Sequence, residues 1–261
     1  MSIFLRLSSF LLWFWMAEAT AQQLREAPHL SAKPANQLVV SGNACGPTAL
    51  LNAFRFASAD WQRATHNITG TTDKAQIYTI IREYGMRPSL HLKNRPRWSR
   101  KGVSIADLCD IGNELTRGQF LPQLTQQVLF RQPKESPEKL LTRVHRLLDT
   151  SLAKGFPPIL SLRRYVQRGG EWIVLDAHFV TLLSIPRNLE KNALSFPISY
   201  IDPWLGKICT GAICLPQRPI LATSNITSPC LEAALPQAAV GKKLVKQGEQ
   251  SVLILSAALS R

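Results

Sequence analysis

The chain has 261 residues, 45% hydrophobic and 18% charged. That is enough apolar material for a core and excludes a wholly disordered chain. Its 17 Pro and 14 Gly are close to ordinary usage, which excludes collagen-like and low-complexity structure. With 31 Lys and Arg against 17 Asp and Glu, the net charge of +14 favours anionic partners without naming one.

Residues 1–21 read as an export signal. Arg6 precedes the apolar run 10–16, and Ala19-Thr20-Ala21 gives the small-x-small pattern of a signal peptidase site. The run is shorter than the roughly 20 residues a membrane span needs, so cleavage after Ala21 is the expectation. The protein is then secreted, periplasmic or attached to the envelope, where disulfides are permitted. A polar, extended lead-in follows over 22–34, and 35–261 reads as one domain.

The first helix is expected to start at Cys45-Gly46-Pro47, since proline suits a first turn whose amide would be unpaired anyway. Ala49, Leu50, Ala53, Phe54 and Ala57 continue with helical spacing. A second helix is predicted over 73–84, capped by Thr72 and ended by Gly85, and a third over 105–116, capped by Ser104. The fourth is capped by Ser136, has Pro137 in its first position and ends at Gly155. Its stripe is Leu140, Leu141, Val144, Leu147, Leu148 and Leu152. The period then changes. Strands are expected over 158–166, 172–185 and 198–202, with continuation near 205–208 and a last strand over 251–255. Helices followed by antiparallel strands make an α+β order. Residues 215–248 carry little pattern.

Cys45 is the sharpest chemical feature. A thiol at a helix N-terminus meets the positive end of the helix dipole and unpaired N–H groups, which favour the thiolate. The same N–H groups can donate to an oxyanion forming beside the sulfur. The alternative is a half-cystine or a small buried filler. Setting Cys45 aside leaves Cys109, Cys209, Cys214 and Cys230, which can pair completely in three ways. Cys209 and Cys214 flank a short segment that they could staple.

A thiol nucleophile needs a base, and the base an orienting partner. His178 interrupts an apolar strand, so its ring nitrogens need partners. His145 falls beside a core position of the fourth helix and reads as a surface or boundary residue. Asp202 ends the following strand, where a neighbouring antiparallel pairing brings it beside His178. Asp176, on the same strand face as His178 by alternation, is the rival orienter.

Cys45-Gly-Pro-Thr-Ala-Leu at a helix start, His178-Phe-Val in a strand and Asp202-Pro after the next strand resemble the papain-like cysteine peptidases. The likeness is greatest to the bacteriocin-processing (double-glycine) branch and its secreted relatives. The resemblance implies a papain-like α+β fold, with an N-terminal helical part carrying the nucleophile helix packed on a C-terminal antiparallel sheet or half-barrel. It further implies Cys45 as nucleophile, His178 as general base and acid, and Asp202 as orienter. The family's oxyanion glutamine has its candidate in Gln37, with Asn43 as the closer amide. The long stretch between Cys45 and His178 leaves room for a basic insertion around 86–135. No cofactor is expected, and no metal-ligand spacing or phosphate-binding glycine loop is present in the sequence.

Arg87, Lys93, Arg95, Arg97, Arg100 and Lys101 fall in one acid-free stretch with Trp98 among them. It is either a solvated loop or a contact for an anionic surface or polymer. No recognised nucleic-acid motif accompanies it, so no specific nucleic-acid binding is expected. Two Asn-x-Thr sequons begin at Asn67 and Asn225. The leading expectation is an exported thiol hydrolase, most readily a cysteine peptidase acting on a peptide or protein through a thioester. The alternatives are a catalytically silent binding module for an anionic surface or peptide, and an envelope protein with all its cysteines bonded.

Overall fold

The structure, a computed structural model, describes residues 23–222, 227–238 and 240–261. The expected export segment and Asn225 of the second sequon lie outside these residues. In chain order the elements are β1 (Leu24–Glu26), α1 (Cys45–Phe56), α2 (Ala59–Gln62), α3 (Asp73–Thr79), β2 (Trp98–Ser99), β3 (Gly102–Val103) and α4 (Ile105–Leu115). They continue with β4 (Thr125–Val128), α5 (Pro137–Ala153), β5 (Ile159–Arg168), β6 (Glu171–Pro186), β7 (Ser195–Asp202), β8 (Lys207–Cys214), β9 (Leu231–Ala234) and β10 (Ser251–Ser260). No helix among the described residues is long and apolar enough to cross a membrane.

The four expected helices begin where the sequence signals them, while the short α2 was not expected. Thr72 accepts from the Ala75 amide at 3.2 Å, Ser104 from Asp107 at 3.1 Å and Ser136 from Lys139 at 3.3 Å, each satisfying an otherwise orphaned N–H. The second helix departs from expectation beyond Thr79, where Ile80–Gly85 widens into a π-helical turn. Gly155 ends α5 at φ +79°, against Ser58.

The strands overturn the papain-like expectation. They do not form an open sheet or half-barrel beneath a helical part. β5 and β6 form a hairpin, β6 pairs β7, β7 pairs β8, β8 pairs β9, β9 pairs β10, and β10 returns to β5. This is a closed six-stranded antiparallel barrel. β1 adds to the C-terminal end of β6 and β4 to that of β10. The closing strand β9, Leu-Glu-Ala-Ala, is short and has no β-branched residue. It lies in the stretch without sequence pattern, and without it β8 and β10 read as unconnected edges.

Two apolar clusters hold the elements together. The α5 stripe joins barrel residues such as Leu160, Leu162, Val180, Leu182, Tyr200 and Leu255 in one. The second gathers α1, the α3 segment and α4 against Ile159, Phe179 and Leu259 on the opposite strand faces. In α1, 11 of 12 residues are buried, so this helix is enclosed rather than amphipathic. The expected insertion 86–135 is built into this second cluster through α4.

All five cysteines are free, so the expected pairing of four into disulfides is not met. Cys209 and Cys214 lie five residues apart on one continuous strand. That places them on opposite faces and roughly 16 Å apart at about 3.3 Å per residue. Cys109 donates from α4 to the Leu124 carbonyl at 3.3 Å, and Cys230 packs against Ile220, Val252 and Ile254. Burial pushes the Cys109 thiol up to about 11 and the Cys230 thiol up to about 12.

Candidate active site

The α1 N-terminus meets one end of the barrel at β6. Gly46 makes this approach possible: a Cβ there would stand 2.3 Å from Val103 Cγ1 and 3.4 Å from the Phe179 ring. Further along, the Thr181 hydroxyl of β6 donates to the Ala49 carbonyl at 2.9 Å. These two contacts set the height of Cys45 relative to His178, which lies three residues before Thr181.

Thr181 pairs with Ile201 across β6 and β7. Extending that register by one residue sets Asp202 opposite Val180. His178 is the next residue on the same face, the diagonal neighbour of Asp202. The His178 Nε2–Asp202 Oδ1 distance is 2.8 Å, with both side chains almost fully buried. Oδ1 also accepts from the Trp204 amide at 2.8 Å, which fixes the carboxylate. With Nε2 engaged by Asp202, Nδ1 is the ring nitrogen left over, and Cys45 is among the groups that act on the ring. Burial pulls the His178 pKa down, but the hydrogen bonds and negative charges of Asp202 and Cys45 outweigh it and push it up to about 10. The ring is therefore held as an imidazolium at neutral pH.

Asp176 is not the orienter. Its Oδ1 accepts from the adjacent Ala177 amide at 2.8 Å, and its charge acts on Arg164. His145 is buried rather than at the surface, with Nε2 2.8 Å from the Pro186 carbonyl on the far side of the barrel wall. A histidine beside an apolar stripe is drawn in when the neighbouring strand offers it an acceptor.

Gln37 is brought to the site by three contacts. The buried Asn52 of α1 accepts from the Ala35 amide at 2.7 Å and donates to the Ala35 carbonyl at 3.4 Å. The Gln37 amide donates to the Pro203 carbonyl at 2.9 Å, just past Asp202. Gly206, at φ +61°, lets the β7–β8 turn press on the Ala35 carbonyl, where a Cβ would stand 3.0 Å away. The Gln37 side chain is buried, its Oε1 has no hydrogen-bond partner, and it lines the same cleft as His178. Asn43 lines the cleft as well. The Asn43 backbone is committed, its amide donating to Arg100 at 3.1 Å and its carbonyl accepting from the Trp98 indole at 3.0 Å. Both amide side chains are thus at the site.

The cleft has a volume of about 580 Å³. Its lining includes Gly42 and Asn43, just ahead of Cys45 in the chain, with Arg100 bonded to Asn43, and also His178 with Asp176, Ala177 and a segment through Val240, Gly241 and Leu244; Cys45 itself is not part of the lining. Cys45 itself is 3% exposed, at the head of α1 behind the Gly42–Asn43 turn. Sequence reasoning did not single out Trp204 or the 240–244 segment. Only the Asp202-Pro-Trp run hinted at the former, and the latter lies in the unpatterned region.

The basic stretch divides. Arg97 is buried and, with Arg87, bonds Glu114, at 2.9 and 2.7 Å. Trp98 packs on Gly85 and holds Asn43, so its indole belongs to the nucleophile loop. Lys93, Arg95 and Lys101 are exposed, and Arg100 lines the cleft.

His91, Asp107 and Asp110 form a group that sequence spacing does not reveal, with one ligand atom from each within 4.8 Å of the others. Its members are already engaged. Asp107 accepts from the Ser89 and Ser104 hydroxyls at 2.7 Å each, and His91 lies 3.0 Å from Asp110.

No family model, curated protein or solved structure matches the chain.

Proposed function

We propose that the protein is an exported thiol hydrolase, a cysteine peptidase on a six-stranded barrel. The supporting observation is the buried His178–Asp202 contact at 2.8 Å, with Cys45 at the head of α1 acting on the same ring. A carboxylate on one nitrogen fixes the tautomer and stabilises the cation, and a sulfur on the other receives or returns a proton. Gln37 and the N-terminal amides of α1 supply donors at one edge of the cleft. Pro47 has no N–H and the Thr48 amide is spent on Ala44 at 3.0 Å, so the amides of Cys45 and Gly46 are the ones left by helix geometry.

In this reading the Cys45 thiolate attacks the carbonyl carbon and an oxyanion forms against those donors. His178 protonates the departing nitrogen as the C–N bond breaks, leaving a thioester. Water then attacks with His178 taking its proton, the C–S bond breaks, and the acid product leaves. The same steps serve peptide, side-chain amide and transfer substrates. The burial of Cys45 favours the second reading, a binding module whose thiol is unreactive.

Iodoacetamide labelling of the full chain from pH 5 to 9, read by peptide mass spectrometry, separates the two. The hydrolase reading expects Cys45 to label fastest of the five cysteines below pH 7 and to lose that advantage in His178→Ala. A Cys45 that is protected, or that labels only above the ordinary thiol range near 8.5 in both proteins, overturns it.

A further inference from the structure

The cleft walls carry unlike charges in unequal number. Arg100 joins the lining beside Asn43 and Lys243 joins it two residues after Gly241; both line the cleft and both are exposed. Among the described residues, no ion pair reaches either one. The acid on the lining, Asp176, is already bonded to the Ala177 amide and faces the partly buried Arg164, whose Nε donates to the Val240 carbonyl. Among the described residues no ion pair reaches Asp176 either, so the lining carries two cations against one carboxylate. A chain segment entering the cleft meets two unpaired cations on its lining. Beside them, Trp204 and Leu244 are both exposed and offer apolar surface.

We propose that Arg100 and Lys243 make this cleft selective for acidic peptide segments, with carboxylate side chains flanking the bond presented to Cys45. This rests on the hydrolase reading and adds its substrate class. The positions differ from the rest of the basic stretch in a physical way. Arg87 and Arg97 are ion-paired to Glu114, and Lys93 is exposed but is not part of the lining. The net charge of +14 attracts anions to the whole molecule, but only charges at the cleft can discriminate between reagents arriving at one sulfur.

The test compares two alkylating reagents of similar size, anionic iodoacetate and neutral iodoacetamide, at Cys45 of the full chain in low salt. Wild type is set against Arg100→Glu, Lys243→Glu and the control Lys93→Glu, which changes net charge equally. The expected result is a fall of about fivefold in the iodoacetate-to-iodoacetamide rate ratio in each cleft variant, from Coulomb interaction across roughly 8 Å of water. The Lys93→Glu ratio stays near wild type, and added salt removes the difference. An equal fall in all three variants, or none in the cleft variants, overturns the proposal while leaving the hydrolase reading standing. A wild-type Cys45 that resists both reagents overturns the hydrolase reading instead. In that case, binding of fluorescein-labelled hexaglutamate to Cys45→Ala, with and without Arg100→Glu, decides whether the cleft still selects anions: weaker binding in the charge-reversed protein supports it, and equal binding overturns it.

Discussion

His178 gathers what the site needs into one side chain. Its burial disfavours charge, and Asp202 and Cys45 restore it. The folded-state pKa of about 10 lies above the unfolded value near 6.5, so the group stabilises the fold fully below pH 6.5. That stabilisation is lost as pH rises from 6.5 through about 10. Thermal unfolding followed across this window should show a falling midpoint, and Asp202→Asn should flatten the fall. The amide keeps an acceptor for the Trp204 N–H but removes the charge. Loss of even one pKa unit is a factor of about ten in imidazolium stability. The midpoint of His178 titration, followed by its imidazole NMR signals, should therefore fall by about one unit or more in Asp202→Asn; an unchanged midpoint would separate the carboxylate from the stabilised cation. At the acid end, burial raises Glu114 but its Arg97 and Arg87 partners more than offset this, and Glu135 is held low by Arg143. Their contributions are present above the ordinary carboxylate range and disappear as pH falls through their lowered values.

At the scale of elements, α1 acts as a rigid bracket between the barrel and the Gln37 segment. Gly46 allows the close approach, so Gly46→Ala should overpack Val103 and cost about 1–3 kcal/mol. The double variant Gly46→Ala, Val103→Ala should recover much of that loss in a denaturant titration, and failure to recover would show that the clash lies elsewhere. Asn52 does the complementary work. Asn52→Leu keeps the volume but leaves the Ala35 amide and carbonyl without their partner, about 1–3 kcal/mol for a buried unsatisfied group. It should slow Cys45-dependent turnover by displacing Gln37, while the pH at which Cys45 labelling rises stays as in wild type. A shift of that pH would mean that Asn52 supports His178 instead. Neither role is visible in the chain, because a buried Asn inside Ala-Leu-Leu-Asn-Ala-Phe differs from a surface one only in what packs against it.

For the whole molecule, closure of the barrel couples distant segments. β9 joins β8 and β10, and β10 lies between β9 and β5. Amide protons at Ile254, Leu255 and Ile213 should therefore exchange together, by global unfolding. Those of β4, a four-residue strand exposed along its length, should exchange earlier by local opening. Early exchange across β9 would indicate that the barrel opens at that seam.

The local elements were legible because their causes are local. Ser, Thr and Pro at helix starts, the Leu stripe of α5 and the apolar run leading to His178 act within a few residues of themselves. The same is true of Cys45 at a helix N-terminus and of Asp202 at a strand end, so the residues of the candidate triad could be named from the chain, and the neighbouring-strand argument was enough to favour Asp202 over Asp176. Tertiary structure decided the rest, since it depends on pairings between segments far apart in sequence. β9 carries too little β propensity to announce itself, and only its two neighbours turn an expected open sheet into a closed barrel. Cys209 and Cys214 do not staple their segment because strand alternation points them to opposite faces. The basic stretch splits into ion-paired and cleft-lining members because Glu114 reaches two of its arginines. Composition and local pattern specify which residues can do chemistry; the register of the strands and the packing of α1 specify which of them meet.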